Sequence, residues 1–232
     1  MRSEGDIPCS RRLTALIVFI LIVLAGRWSA EGLEIQIQVQ GNISGIPKGQ
    51  ILELFQVSAQ KIAYLTGLDT DFPVRVLVYQ NPYEYLREGL PAWSVAAYRN
   101  GVIHFRDPLL FARYRTLQEV ITHELLHALI SYRSVSLPFW FEEGLAQVVS
   151  QGTDFSDFSF DYCRVDRETV FYYRETQRVL TELVDRYGWV GIRHFFVLMN
   201  DYPFAGAFRV AFPLETSIPD IFLPLERENE VE

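Results

Sequence analysis

An α+β fold is what this chain predicts, and three observations carry the prediction. Segments 33–40 (LEIQIQVQ) and 74–79 (VRVLVY) alternate or concentrate apolar residues as strands with a buried face do. Asn100-Gly101 stands between the apolar runs 95–99 and 102–105, a strong signal for a tight hairpin. From Arg115 onward the apolar residues recur at helical spacing. Strands come first and helices after. The expected architecture is a small mixed or antiparallel sheet with an edge hairpin, followed by a mainly helical C-terminal part.

Taken in order, the chain begins with an export or anchoring segment. Residues 13–25 (LTALIVFILIVLA) carry no charge, Arg11 and Arg12 precede them, and Gly26 and Arg27 follow. A basic flank, an apolar stretch and small residues make the layout of a secretory signal. The run is shorter than the roughly 20 residues of a spanning helix. Cleavage after Ala25 is the preferred reading, which places the mature protein in the periplasm or outside the cell. The alternative is a single-pass N-terminal anchor, with residues 13–28 attached to the membrane and Arg27 snorkelling. Either way, residues 1–30 stand apart from one domain at 31–223 and an acidic, flexible tail at 224–232 (PLERENEVE).

Within the domain, 41–49 is rich in Gly and reads as a loop. Ile51, Leu54, Phe55, Ser58, Ile62 and Leu65 form a helical stripe over 50–66 that ends at Gly67. Asn81-Pro82 opens a short helix. Thr116 and Glu119 form a capping box for the next one, whose stripe runs through Val120, Ile121, Leu125, Ala128 and Leu129. Pro138 suits the first turn of a second helix. Two more are expected at 167–187 and 189–199, and from Pro203 the chain mixes Pro and apolar residues.

Composition excludes several function classes. Apolar residues make up 49% and charged residues 22%, so the chain has the means to build a core. A net charge of −8 argues against a nucleic-acid binder with a basic surface, and no nucleic-acid partner is expected. Two cysteines, Cys9 and Cys163, exclude a disulfide scaffold and a four-thiolate zinc site. Cys163 reads as a small buried apolar residue.

The chemistry is concentrated at residues 123–127, His-Glu-Leu-Leu-His. On a helix, positions i and i+4 share one face, so His123 and His127 can reach one ion. Zn²⁺ suits such nitrogen ligands. Glu124 is turned about 100° round the helix from His123 and can reach a water held by the metal, as general base and then acid. The flanking helix is uncharged, and two imidazoles and a carboxylate buried there are costly unless bound to something. A third ligand is needed. Glu143 lies within Trp140-Phe141-Glu142-Glu143-Gly144, and two antiparallel helices joined through 132–137 would bring it across from the histidines. Glu142 competes for that place and otherwise reads as a solvated or supporting carboxylate.

Here the sequence resembles the gluzincin zinc metallopeptidases, especially their compact peptidase MA-like domains. Their pattern is His-Glu-x-x-His followed by Pro-x-Trp-x-x-Glu-Gly-x-Ala, matched by Pro138, Trp140, Glu143, Gly144 and Ala146. Tyr187-Gly188 and Ala207-Phe208 are similar to later landmarks of the family. The resemblance implies a zincin-like fold with the edge hairpin packed on the active-site helix. It implies Zn²⁺ held by His123, His127 and Glu143, with Glu124 catalytic in peptide-bond hydrolysis by a metal-activated water. It also implies that the second hairpin strand, Val102, Ile103, His104 and Phe105, is the edge to which an extended peptide or protein substrate adds. A downstream Tyr or His would steady the transition state, which makes Tyr172 and Tyr173 candidates, with His194 behind them. Taken by itself, His104 reads rather as a cross-strand or surface residue.

Two departures restrict the resemblance. The aminopeptidase segment Gly-x-Met-Glu-Asn is absent, since neither Met1 nor Met199 is followed by Glu. Glu119, Tyr132 and Arg133 bracket the motif helix, so an aqueous site is expected rather than one within a membrane. Asp154, Asp157 and Asp161 lack calcium-loop spacing and read as a solvated loop. Two other functions compete: a non-proteolytic, zinc-stabilised binding or assembly module of the envelope, and a zinc amidase acting on cell-wall amides.

Overall fold

The alternating segments do form a sheet in the structure, a computed structural model. It describes residues 35–40, 48–79, 81–92, 94–106, 117–151 and 167–214, and of 35–40, 48, 167 and 168 the backbone only. In chain order the elements are β1 (Ile35–Gln40), α1 (Lys48–Thr66), β2 (Val74–Tyr79) and α2 (Pro82–Arg87). The hairpin β3 (Ala96–Arg99) and β4 (Val102–Phe105) follows. Then come α3 (Leu117–Tyr132), α4 (Phe139–Gln151), α5 (Arg167–Leu198) and α6 (Phe204–Ala211). The described residues belong to one unit, Gly32–Glu232, and make a mixed α+β fold that is mostly helical. The segment 13–28, Cys9, Thr116, Asp154, Asp157, Asp161, Cys163 and the tail 224–232 lie outside the described residues. Among the described residues, no helix is long and apolar enough to cross a membrane.

The sheet is mixed, in the order β1-β2-β4-β3. β1 and β2 are parallel, with α1 as the crossover between them, and β2 is parallel to β4. β3 closes the hairpin antiparallel to β4. Asn100 (φ 51°) and Gly101 (φ 77°) are both left-handed, as the centre of a two-residue hairpin turn requires.

The hairpin is at the edge as expected, but its strands are the other way round. β4 has β2 on one side and β3 on the other, and Val102, Ile103, His104 and Phe105 are all buried. These four residues therefore cannot receive an added strand, and the edge is β3. The reason is burial on both faces: VIHF has no solvent side, which suits an interior strand, whereas Arg99 and the half-buried Ala97 and Tyr98 suit a rim.

One face of the sheet carries Val74, Val76, Val78, Ile103 and Phe105 into the main core with α1 and α3. The other face carries Tyr79 and His104 beneath Tyr85 of α2 and Leu90. On α1 the expected stripe is realised: Ile51, Phe55, Ser58 and Ile62 are buried, with Leu54 and Leu65 half-buried beside them. Gly67 (φ 74°) ends the helix by donating its N–H to Ala63 O at 2.9 Å.

α3 is buried round most of its circumference, from Val120 to Ile130. It stops at Ser134 (φ 52°), where Val135 N–H reaches back to Ile130 O at 3.1 Å and Ser134 N–H to Ser131 O at 3.0 Å. These two bonds satisfy the last carbonyls of α3 and reverse the chain into α4. The Pro138 carbonyl then accepts the N–H groups of Phe141 and Glu142 and begins that helix.

The expected break between helices at 167–187 and 189–199 is present: α5 is two helical stretches that meet at Gly188, whose φ of 65° and ψ of 174° are not helical. α6 was not expected. Pro203 sits just before it at φ −64°, a position a proline fits, and Phe204, Ala207, Phe208 and Ala211 form its apolar stripe.

Candidate metal centre

α3 and α4 together build the site. The i and i+4 spacing brings the His123 and His127 rings to 4.8 Å, with their Nε2 atoms 3.2 Å apart. Across from them, Glu143 on α4 places Oε2 3.5 Å from His123 Nε2 and Oε1 3.4 Å from His127 Nε2. The donor atoms of the three residues all lie within 4.8 Å of one another. Their side chains are 13%, 12% and 7% exposed. Thus His123, His127 and Glu143 form a buried group that could hold a metal ion.

The other residues of the Pro-x-Trp-x-x-Glu-Gly-x-Ala stretch hold Glu143 in place. Trp140 is fully buried, with its ring 6.1 and 6.2 Å from those of Phe204 and Phe208 on α6. Ala146 is fully buried as well. Gly144 is where α5 crosses α4. A Cβ there would lie 2.5 Å from the Thr176 carbonyl oxygen and 2.8 Å from Leu180 Cδ2, so only glycine permits the approach.

Glu142 is not merely solvated. Its Oε1 lies 2.6 Å from His127 Nδ1. That contact assigns the Nδ1 proton of His127 and turns its Nε2 toward Glu143. Burial alone would lower the His127 pKa, but the Glu143 carboxylate and the Glu142 hydrogen bond outweigh it and push the imidazole up to about 9. His123 Nδ1 has no hydrogen-bond partner among the described residues.

A cation suits this donor set. Glu124, Glu142 and Glu143 bring three carboxylates to two imidazoles, and Glu124 and Glu143 are buried. Even a protonated His127 leaves the cluster with excess negative charge, a costly state in a low-dielectric interior. A divalent ion offsets most of it. Two imidazoles and a carboxylate suit Zn²⁺ or another first-row ion better than Ca²⁺ or Mg²⁺.

The Glu124 carboxylate reaches from α3 to the sheet edge. Its Oε2 accepts the main-chain N–H of Tyr98 on β3 at 2.7 Å. The motif carboxylate is thus held between the metal-binding helix and the sheet edge.

Compared with known proteins, the chain matches no family model and no curated sequence. Its function must therefore be read from the site.

The remaining candidates lie at varying distance from that site. Tyr172 and Tyr173 are on the early turns of α5. Tyr172 stacks on Phe139 (5.7 Å, 10°), one turn before Glu143, and Tyr173 meets Tyr172 edge-on at 6.2 Å. Both therefore flank the N-terminal end of α4. His194 is exposed beyond the kink, and its neighbour Arg193 donates to Tyr64 O on α1.

His104 serves the sheet. The Tyr79 hydroxyl lies 2.8 Å from its Nδ1, and burial lowers its pKa. It packs on the face away from α3, which is the cross-strand role.

One participant carried no readable signal, and one buried neighbour carried only a weak one. The Tyr98 donor is a main-chain group and leaves no mark on residue type. Gln147, one turn after Glu143, is 1% exposed, and neither side-chain amide atom has a hydrogen-bond partner among the described residues. Its place at i+4 from a ligand was the available hint.

Proposed function

We propose that this chain is a zinc-dependent metallopeptidase of gluzincin type with a zincin-like, peptidase MA-like domain, exported or membrane-anchored through residues 13–28. The observation that carries the reading is the convergence of His123, His127 and Glu143 from two helices, with Glu124 beside them and held by the sheet edge. The Pro138-to-Ala146 stretch supports it, since Trp140 and Ala146 are buried on either side of Glu143 and Gly144 permits the close approach of α5.

His123, His127 and Glu143 would hold the ion, and Glu142 keeps His127 in the ligating tautomer. Bound there, Zn²⁺ supplies a Lewis acid that polarises a carbonyl and lowers the pKa of water to about 7. Glu124 takes the proton of the attacking water on its carboxylate and later delivers it to the leaving amine. An extended peptide or protein would lie along β3, the outer strand on the hairpin side of the described sheet. Tyr172 and Tyr173 are the candidates to steady the developing oxyanion.

The test is Glu124→Gln in the zinc-loaded full chain, assayed on casein and on a mixed peptide library. The variant is expected to keep its zinc and lose turnover by at least about 1,000-fold. Activity surviving that substitution would remove the assigned mechanism.

A further inference from the structure

The alternation of β3 determines which main-chain groups face outward. Val95 O accepts from Arg106 N–H at 3.0 Å, and Ala97 and Arg99 stand opposite His104 and Val102. In an antiparallel pair, alternate residues turn both polar groups into the ladder. Those of Val95, Ala97 and Arg99 therefore face β4, and those of Ala96 and Tyr98 face away from it. The sheet makes no use of the Tyr98 N–H. Glu124 Oε2 takes it at 2.7 Å, a length typical of a charge-assisted bond.

The strand that offers this donor is firmly held. Arg99 donates to the carbonyls of Glu88 and Gly89 at 2.9 and 3.0 Å, and Arg106 donates to Ala92 O at 2.6 Å. These bonds tie both strands of the hairpin to the segment before it, and the Asn100-Gly101 turn sets its twist. A carboxylate on a rotatable side chain loses freedom when it bonds to a main-chain group of such an element.

We infer that the main-chain N–H of Tyr98 is a positioning donor for Glu124. It aims the carboxylate at the metal-binding group and keeps one oxygen turned away from it. This rests on the peptidase reading for its effect on turnover, but not for the bond itself. One consequence concerns the substrate edge. A peptide laid along β3 finds the Tyr98 donor already taken, so its carbonyl at that place takes no ladder bond from Tyr98. Loss of the donor should therefore slow the chemical step without weakening peptide binding.

The experiment replaces the 97–98 peptide bond of the full, zinc-loaded chain by an ester, using the α-hydroxy analogue of tyrosine, which removes the N–H and keeps the side chain; the same exchange at Arg99, which weakens the Tyr98 carbonyl and leaves the Tyr98 N–H, is the control. With fluorescently labelled casein as the probe, kcat is expected to fall about 10- to 100-fold, with KM and zinc content unchanged. A kcat within about twofold of the parent would overturn the inference. A second readout does not need activity. In a full chain labelled with ¹⁵N-tyrosine, the Tyr98 amide proton is expected far downfield, moving upfield in Glu124→Gln at equal zinc content. An amide signal indifferent to Glu124→Gln would also overturn it. If the zinc-loaded parent leaves casein intact, the peptidase reading fails, and the amide shift still decides the coupling.

Discussion

Gly144 and Thr176 touch so closely that the absent side chain is itself a structural feature: a Cβ on Gly144 would stand 2.5 Å from the Thr176 carbonyl oxygen. The contact is backbone to backbone, so no flexible side chain can yield. It brings α5 across α4 immediately beside Glu143, the proposed third ligand. Gly144→Ala should push the helices apart and cost about 3 kcal/mol, the upper end for overpacking a core. Urea unfolding of the metal-free chain would measure it. A loss below about 0.5 kcal/mol would mean that α5 does not hold α4 in this way.

Glu142 and Glu143 are neighbours with different tasks. Glu142→Ala removes the partner of His127 Nδ1 but leaves all three ligands. Metal affinity should fall about 10- to 100-fold while stoichiometry is retained. Glu142→Gln should restore much of that loss, because an amide oxygen still accepts from Nδ1. Competition with a chelator dye would show both effects. Equal affinities for the parent and Glu142→Ala would remove Glu142 from the site.

Metal uptake should depend on pH through His127. Without metal its pKa is raised to about 9, above the ordinary 6.5. The proton therefore stabilises the metal-free fold fully below about 6.5, and that contribution is lost as pH rises through 9. A metal must displace this proton, so its apparent affinity should climb from pH 6.5 to about 9 and then level off. Calorimetry in buffers of different ionisation enthalpy would count the protons released. An affinity flat across that range would contradict the assignment.

Gln147 offers a test of stability alone. Its buried amide has no hydrogen-bond partner among the described residues, and an apolar side chain of similar shape avoids that penalty. Gln147→Met should stabilise the metal-free chain by about 1 kcal/mol in urea unfolding. Destabilisation by as much would mean that the amide is satisfied within the folded protein.

The legible parts of the structure were those governed by local spacing. His123 and His127 share a helix face because of the period of that helix, and Asn100-Gly101 forms its turn because both residues tolerate φ > 0. Gly67 ends α1 for a similar reason. Strand order was not legible, because it depends on what covers each face. The interior place of β4 follows from burial on both sides, which the run VIHF shows only weakly. α6 was hidden by Pro203, which reads as a breaker yet stands just outside the helix it precedes. In the site, adjacency alone could not divide roles between Glu142 and Glu143. That they meet different ring nitrogens of His127 appears only once α3 and α4 pack together.

Whether α3 and α4 together hold one zinc ion is decided by elemental analysis of the purified full chain, with Glu143→Ala measured alongside. About one zinc per chain is expected in the parent, with the metal lost or sharply weakened in the variant. No zinc in the parent after reconstitution with excess metal would contradict the account.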